Sequence, residues 1–143
     1  MRGDSLQNGN TDVIRLLQPA VLAFIGDAVF NLFIRERLVR KKRASSHRLH
    51  IDATRYVKAA SQSRIARELQ KEFDEDEAFI FRRGRNAKST TVPKNADLHD
   101  YHYATGLEAV MGYLYLTGRK ERLESILERA ASIIESDETE SQP

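Results

Sequence analysis

Apolar residues recur at three- and four-residue spacing along almost the whole chain, and no stretch of strict alternation marks a strand. The most apolar stretch runs from Pro19 to about Arg40 and predicts a long helix. Pro19 suits its first turn, and Val21, Phe24, Ile25, Ala28, Val29, Leu32 and Phe33 recur along it at three- and four-residue spacing. The cations of Arg37–Arg43 (RLVRKKR) close it favourably at its C-terminal end. A second apolar helix is expected over Leu98–Leu116, capped by Asp97. Shorter helices fill the interval. One starts at Ser45 or Ser46 and carries Leu49, Ala53, Tyr56 and Val57; the next starts at Ser61 or Ser63 and carries Ile65, Ala66 and Leu69. A third has Asp74, Glu75 and Asp76 in its first turn, carries Ala78, Phe79 and Phe81, and ends between Gly84 and Lys88. Thr11 is the expected cap of a short opening helix, and residues 89–96 (STTVPKNA) read as a loop. The last helix is expected from Lys120 to Ile134, with Leu123, Ile126, Leu127, Ala130 and Ile134 inward. The fold class is therefore all-α: one domain of six to seven helices over residues 11–135, with a flexible leader at 1–10 and an acidic disordered tail at 136–143.

The 143 residues suffice for one domain and not for two of ordinary size. Cysteine is absent, which excludes disulfide frameworks, thiolate metal sites and cysteine nucleophiles. The longest apolar run, Ala20–Ile25, is broken by Gly26 and Asp27, far short of the roughly 20 residues that span a bilayer. Met1–Asn10 is polar and lacks the apolar core of a signal peptide, so a cytoplasmic location without membrane attachment is expected. The net charge of +2 is segregated: residues 35–94 carry 17 Lys and Arg against 8 Asp and Glu, and the flanks are acidic. A basic middle suits a polyanionic partner.

Each of the two most apolar helices holds an acid in its middle. Asp27 has Ala20, Ala23, Phe30 and Asn31 as helical neighbours; Glu108 has Ala104, Thr105, Met111 and Gly112. An acid in an apolar stripe is costly unless it is hydrogen-bonded, paired or metal-bound. One reading is a buried acid satisfied by a Tyr, Asn or Arg of another helix. The other is a facing pair, a hard oxygen-ligand site suited to Mg²⁺ and phosphoryl chemistry. His47 with His50, and His99 with His102, also share helix faces, but no cysteine or third ligand supports a transition-metal site and solvated rings are expected.

The segment Phe24-Ile25-Gly26-Asp27-Ala28-Val29 resembles the ribonuclease III signature, and Leu107-Glu108-Ala109-Val110-Met111-Gly112 resembles that family's second acidic motif. The block Arg82-Arg83-Gly84-Arg85-Asn86-Ala87-Lys88-Ser89, followed by Pro93-Lys94-Asn95, is similar to the Mini-ribonuclease III branch, which lacks a double-stranded-RNA-binding domain. The resemblance covers residues 15–130. It implies a Mg²⁺-dependent endoribonuclease that cleaves double-stranded RNA to leave 5′-phosphate and 3′-hydroxyl ends, with Asp27 and Glu108 as catalytic metal ligands. It further implies a homodimer and, for the Mini branch, precursor 23S ribosomal RNA as substrate. Ala23 and Thr105 stand where larger members of the family carry two further acids.

Of the basic segments, residues 35–43 read equally as a solvated helix end or an RNA surface. Arg83, Arg85, Asn86, Lys88, Ser89, Thr90 and Lys94 precede the Glu108 helix and are the expected RNA contacts, made to phosphates and 2′-hydroxyls. The losses at Ala23 and Thr105 keep open an alternative, a catalytically inactive domain that retains the fold for RNA binding or helical interaction.

Overall fold

A computed structural model describes residues 10–41, 43–88 and 92–141. Among the described residues the chain forms seven α-helices and no strand: α1 Thr11–Arg15, α2 Pro19–Lys41, α3 Ser46–Val57, α4 Ala59–Leu69, α5 Glu75–Asn86, α6 Leu98–Leu116 and α7 Lys120–Ser141, with a 3-10 turn Gln70–Glu72 after α4. The all-α expectation holds. The leader falls outside the described residues except for Asn10, as do Lys42, Ser89 and Thr90.

Local chemistry sets most helix starts. Ser45 Oγ accepts from Arg48 N at 3.1 Å, and Asp97 Oδ1 accepts from Asp100 N at 3.0 Å. Asp74 and Glu77 close a capping box, each side chain accepting from the other residue's backbone N–H. Two starts differ from expectation. Asn10, not Thr11, caps α1, accepting from Val13 N at 3.2 Å. α4 begins at Ala59 behind Lys58, without a side-chain cap, and buries Ser61 and Ser63 in its first turns. The Ser61 hydroxyl instead donates to the Arg55 carbonyl at 2.6 Å, which joins α4 to the last turn of α3.

The two apolar helices α2 and α6 cross at the centre, with α4 and α5 packed on α6, α3 on α2, and α7 closing the bundle. Leu22, Phe30, Ile34 and Leu38 of α2 meet Leu107, Val110, Met111 and Leu114 of α6 in one continuous core. The backbones touch at two points. A Cβ on Gly26 would overlap the Glu108 carbonyl, and one on Gly112 would overlap the Leu22 carbonyl, so only glycine fits either place.

The sequence pattern did not single out the buried face of α2. Leu22, Ala23, Gly26, Phe30, Ile34 and Leu38 turn inward, whereas Val21, Phe24, Leu32 and Val39 are exposed. α2 is apolar nearly all round, so its periodicity could not choose a face. The choice falls to the side whose small residues let α6 approach.

The second correction concerns the chain's end. α7 continues to Ser141, through most of the segment expected to be a disordered acidic tail. Glu135 explains the continuation. It accepts from Arg37 Nε and Nη2, both at 2.8 Å, from Lys41 at 3.0 Å and from the Tyr56 hydroxyl at 2.9 Å. Arg37 and its neighbours thereby hold the Glu135 carboxyl down at about 2. Two residues on, Asp137 pairs with Arg64. A second buried acid, Glu77, is 0% exposed and forms a bidentate pair with Arg122, at 2.8 Å to each carboxylate oxygen, that ties α5 to α7.

Gly112→Ala should destabilise the protein by at least ~2 kcal/mol, because the α2 backbone cannot yield to a methyl group. Equilibrium urea unfolding would show this as a lower midpoint at unchanged slope.

Candidate active site

Asp27 follows Gly26 on α2, and Glu108 is the α6 residue whose carbonyl Gly26 touches. The crossing therefore brings the two acids together. Asp27 is exposed, and its Oδ1 accepts from Asn31 Nδ2 at 3.2 Å; the same amide nitrogen donates to the Asp27 carbonyl at 2.8 Å. Glu108 lies deeper. Its Oε2 accepts from Gln62 Nε2 at 3.1 Å.

Burial pushes the Glu108 carboxyl up to about 8. The Gln62 hydrogen bond opposes the shift, and the charge of Asp27 with its hydrogen bond adds to it. Two carboxyl groups thus meet in a partly dry crevice, and no cation is among the groups that shift Glu108. Such a pair keeps a proton unless a positive charge arrives. The two carboxylates are hard oxygen ligands of the kind Mg²⁺ takes. No group of three or more His, Asp or Glu side chains gathers anywhere among the described residues. Ala23 is buried and has no ligand atom, and the Thr105 hydroxyl donates to the Tyr101 carbonyl of its own helix at 2.9 Å, so neither position supplies a third carboxylate.

The expected RNA contacts divide. Asn86, Lys88 and Lys94 are exposed, and Arg85 is half-buried at the end of α5. Arg83 turns inward: its Nη1 donates to the carbonyls of Arg15 at 3.0 Å and Leu17 at 3.1 Å. Through this nitrogen it clamps the turn between α1 and α2, whose carbonyls lack helical partners. In residues 35–43, Arg37 and Lys41 are spent on Glu128 and Glu135, and Arg40 pairs with Glu36. His99 stacks against Tyr103 with ring centroids 4.8 Å apart, and no metal cluster forms around either histidine pair.

Two residues escaped the sequence reading. Gln62 shares a helical stripe with Ile65, Ala66 and Leu69, so an amide in an apolar stripe was its signal, the same signal that marks Asp27 and Glu108. Arg67 lies 4.9 Å from the centroid of the Tyr103 ring, with Arg85 5.9 Å away, which sets two guanidinium groups against α6 near its N-terminal end. No local pattern predicts this, because it joins three helices.

Residues 20–119 match the model of the ribonuclease III domain. Among similar proteins, the Mini-ribonuclease 3 of Thermoanaerobacter sp. is 48% identical over 119 residues, covering 83% of this chain and 84% of that protein. The Mini-ribonuclease 3 of Staphylococcus aureus is 39% identical over 131 residues, covering 90% of this chain and 98% of the relative. A crystal structure of a Fusobacterium nucleatum protein superposes with a TM-score of 0.75 at 30% identity, covering 87% of this chain and 97% of that one. The chain belongs to the ribonuclease III domain family and is an endoribonuclease. Within that family, its curated relatives are Mini-ribonuclease 3 proteins.

Because Glu108 has a raised value when folded, the folded chain holds a proton that the unfolded chain releases above about 4.5. The stabilisation is full below that value and is lost as pH rises through about 8. Without divalent cations, wild type should lose at least ~5 °C in melting temperature relative to Glu108→Gln between acidic and alkaline buffer, measured by differential scanning calorimetry.

Proposed function

We propose that the protein is a Mg²⁺-dependent endoribonuclease that cleaves double-stranded RNA as a homodimer in the cytoplasm, maturing the ends of precursor 23S ribosomal RNA. The apposition of Asp27 and Glu108 across the α2–α6 crossing carries this reading. These two side chains would hold the ion. When bound, it supplies an activated water and offsets the charge that develops at phosphorus and on the leaving oxygen. The chain's own contribution is placement. Asn31 orients Asp27, Gln62 orients Glu108, and the glycine crossing prevents the two helices from drifting apart.

Duplex RNA presents phosphates and 2′-hydroxyls in a regular array. Arg85, Asn86, Lys88 and Lys94, together with Arg67, would supply donors to it, and Arg67 and Arg85 lie against Tyr103 of the helix that carries Glu108. Ser89 and Thr90 belong to the same proposed contact set and lie outside the described residues. The similarity of residues 82–95 to the Mini branch supports ribosomal RNA as the substrate. No helix among the described residues is long and apolar enough to cross a membrane.

The homodimer rests on the outer face of α2. Val21, Phe24, Leu32 and Val39 fall on one side of that helix, and Phe24 and Leu32 are 78% and 68% exposed. A contiguous apolar stripe on a small protein marks an interface. A self-complementary stripe on one helix suits a second copy related by two-fold symmetry.

Wild type with Mg²⁺ should cleave a duplex drawn from the 23S precursor stem, and Asp27→Asn should be slower by ~10²-fold or more. Equal inertness of the two proteins would favour the inactive-domain alternative. Arg85→Ala and Lys88→Ala should weaken duplex binding and flatten its salt dependence by about one unit of slope each.

Phe24→Glu or Leu32→Glu should convert the protein to a monomer in sedimentation-velocity ultracentrifugation while the helical circular-dichroism signal is retained.

A further inference from the structure

Gln62 is 3% exposed, and its Oε1 is buried with no hydrogen-bond partner among the described residues. Its orientation is fixed by chemistry. Nε2 donates to the Val57 carbonyl at 2.8 Å and to Glu108 Oε2 at 3.1 Å. Both partners are acceptors, so the remaining atom must be the carbonyl oxygen. A buried acceptor without a donor is rare in a folded protein and costly to maintain.

The donor it lacks follows from the site beside it. Two carboxylates provide few of the six ligands that Mg²⁺ takes, and the ion keeps several waters. Those waters are strong donors and need acceptors around them. Ala23 has no polar atom to offer them, whereas Gln62 Oε1 is a buried acceptor still without a donor. Gln62 reaches the same crevice from a third helix, anchored through Val57 and already touching Glu108.

We infer that Gln62 is a positioning residue of the metal site: its amide N–H aligns Glu108, and its buried Oε1 accepts a hydrogen bond from a water of the bound divalent ion. The inference rests on the metal-site reading of Asp27 and Glu108. Gln62 thereby supplies, from α4, an oxygen in place of those that larger family members place at the positions of Ala23 and Thr105.

The test uses the full chain without RNA and Mn²⁺ as the probe, with the free ion counted by its paramagnetic-resonance signal. Gln62→Met keeps length and burial but removes donor and acceptor, and should weaken Mn²⁺ binding by ~10–100-fold. Gln62→Glu keeps an oxygen facing the ion and adds charge, and should bind at least as tightly as wild type. A purely structural role would weaken both variants alike. Thermal melts followed by circular dichroism establish that each variant is folded; should Gln62→Met fail to fold, the affinity of Gln62→Glu decides. Wild-type affinity in Gln62→Met, or equal weakening in both variants, overturns the inference while leaving the metal reading intact. Equally absent binding in wild type and Asp27→Asn overturns the metal reading and this inference together.

Discussion

Two backbone contacts between α2 and α6 govern the rest of the molecule. Gly26 lies under the carbonyl of Glu108, and Gly112 lies under the carbonyl of Leu22. Each helix offers a missing side chain where the other presents bare backbone. Two such contacts fix both the rotation and the slide of one helix on the other, because a packed interior resists continuous deformation. The acids are tied to the same contacts. Asp27 is next to Gly26, and Glu108 is the residue that Gly26 meets. The Gly-Asp pair and the Glu-x-x-x-Gly spacing thus serve packing and chemistry together: removing a glycine would separate the carboxylates even with both still in the chain.

The electrostatics follow from that geometry. Burial, with the charge of a second acid adding to it, raises the proton affinity of the deeper one, Glu108, and creates a demand for positive charge. Elsewhere the chain neutralises itself. Arg37 and Lys41, at the end of α2, meet Glu128 and Glu135 of α7, and Arg122 meets Glu77 in the interior. These pairs consume part of the basic middle segment. The cations at the end of α5 and in the segment after it, Arg85, Lys88 and Lys94, take no part in these pairs with α7. Charge that looked evenly suited to RNA along residues 35–94 is therefore divided by the fold into structural and surface roles.

The helices and their order were legible, and so were the caps of two of them, because they depend on neighbours in sequence: Ser45 and Asp97 bond the backbone three residues on. Asp27 and Glu108 were legible because an acid in an apolar stripe is itself a local pattern. Gln62 carried the same sign more faintly, since a neutral amide in a stripe costs less than a charge and stands out less. The structural role of Arg83 was not legible, because its carbonyl partners lie 66 and 68 residues away and a cation in a basic block has no local mark of an internal contact.

What the sequence determined by itself is the set of helices, the two acids and the family motifs around them, all of them features of short range. The tertiary structure decided which side of α2 is buried, how far α7 continues, and which cations are spent internally. α2 is apolar all round, so only the approach of α6 at the glycines could turn Leu22, Phe30 and Ile34 inward and leave Phe24 and Leu32 outside. An acidic segment such as 135–141 has no helical reason of its own to persist. It does so because Arg37, Lys41, Tyr56 and Arg64, distant in sequence, converge on Glu135 and Asp137 only once the bundle has formed.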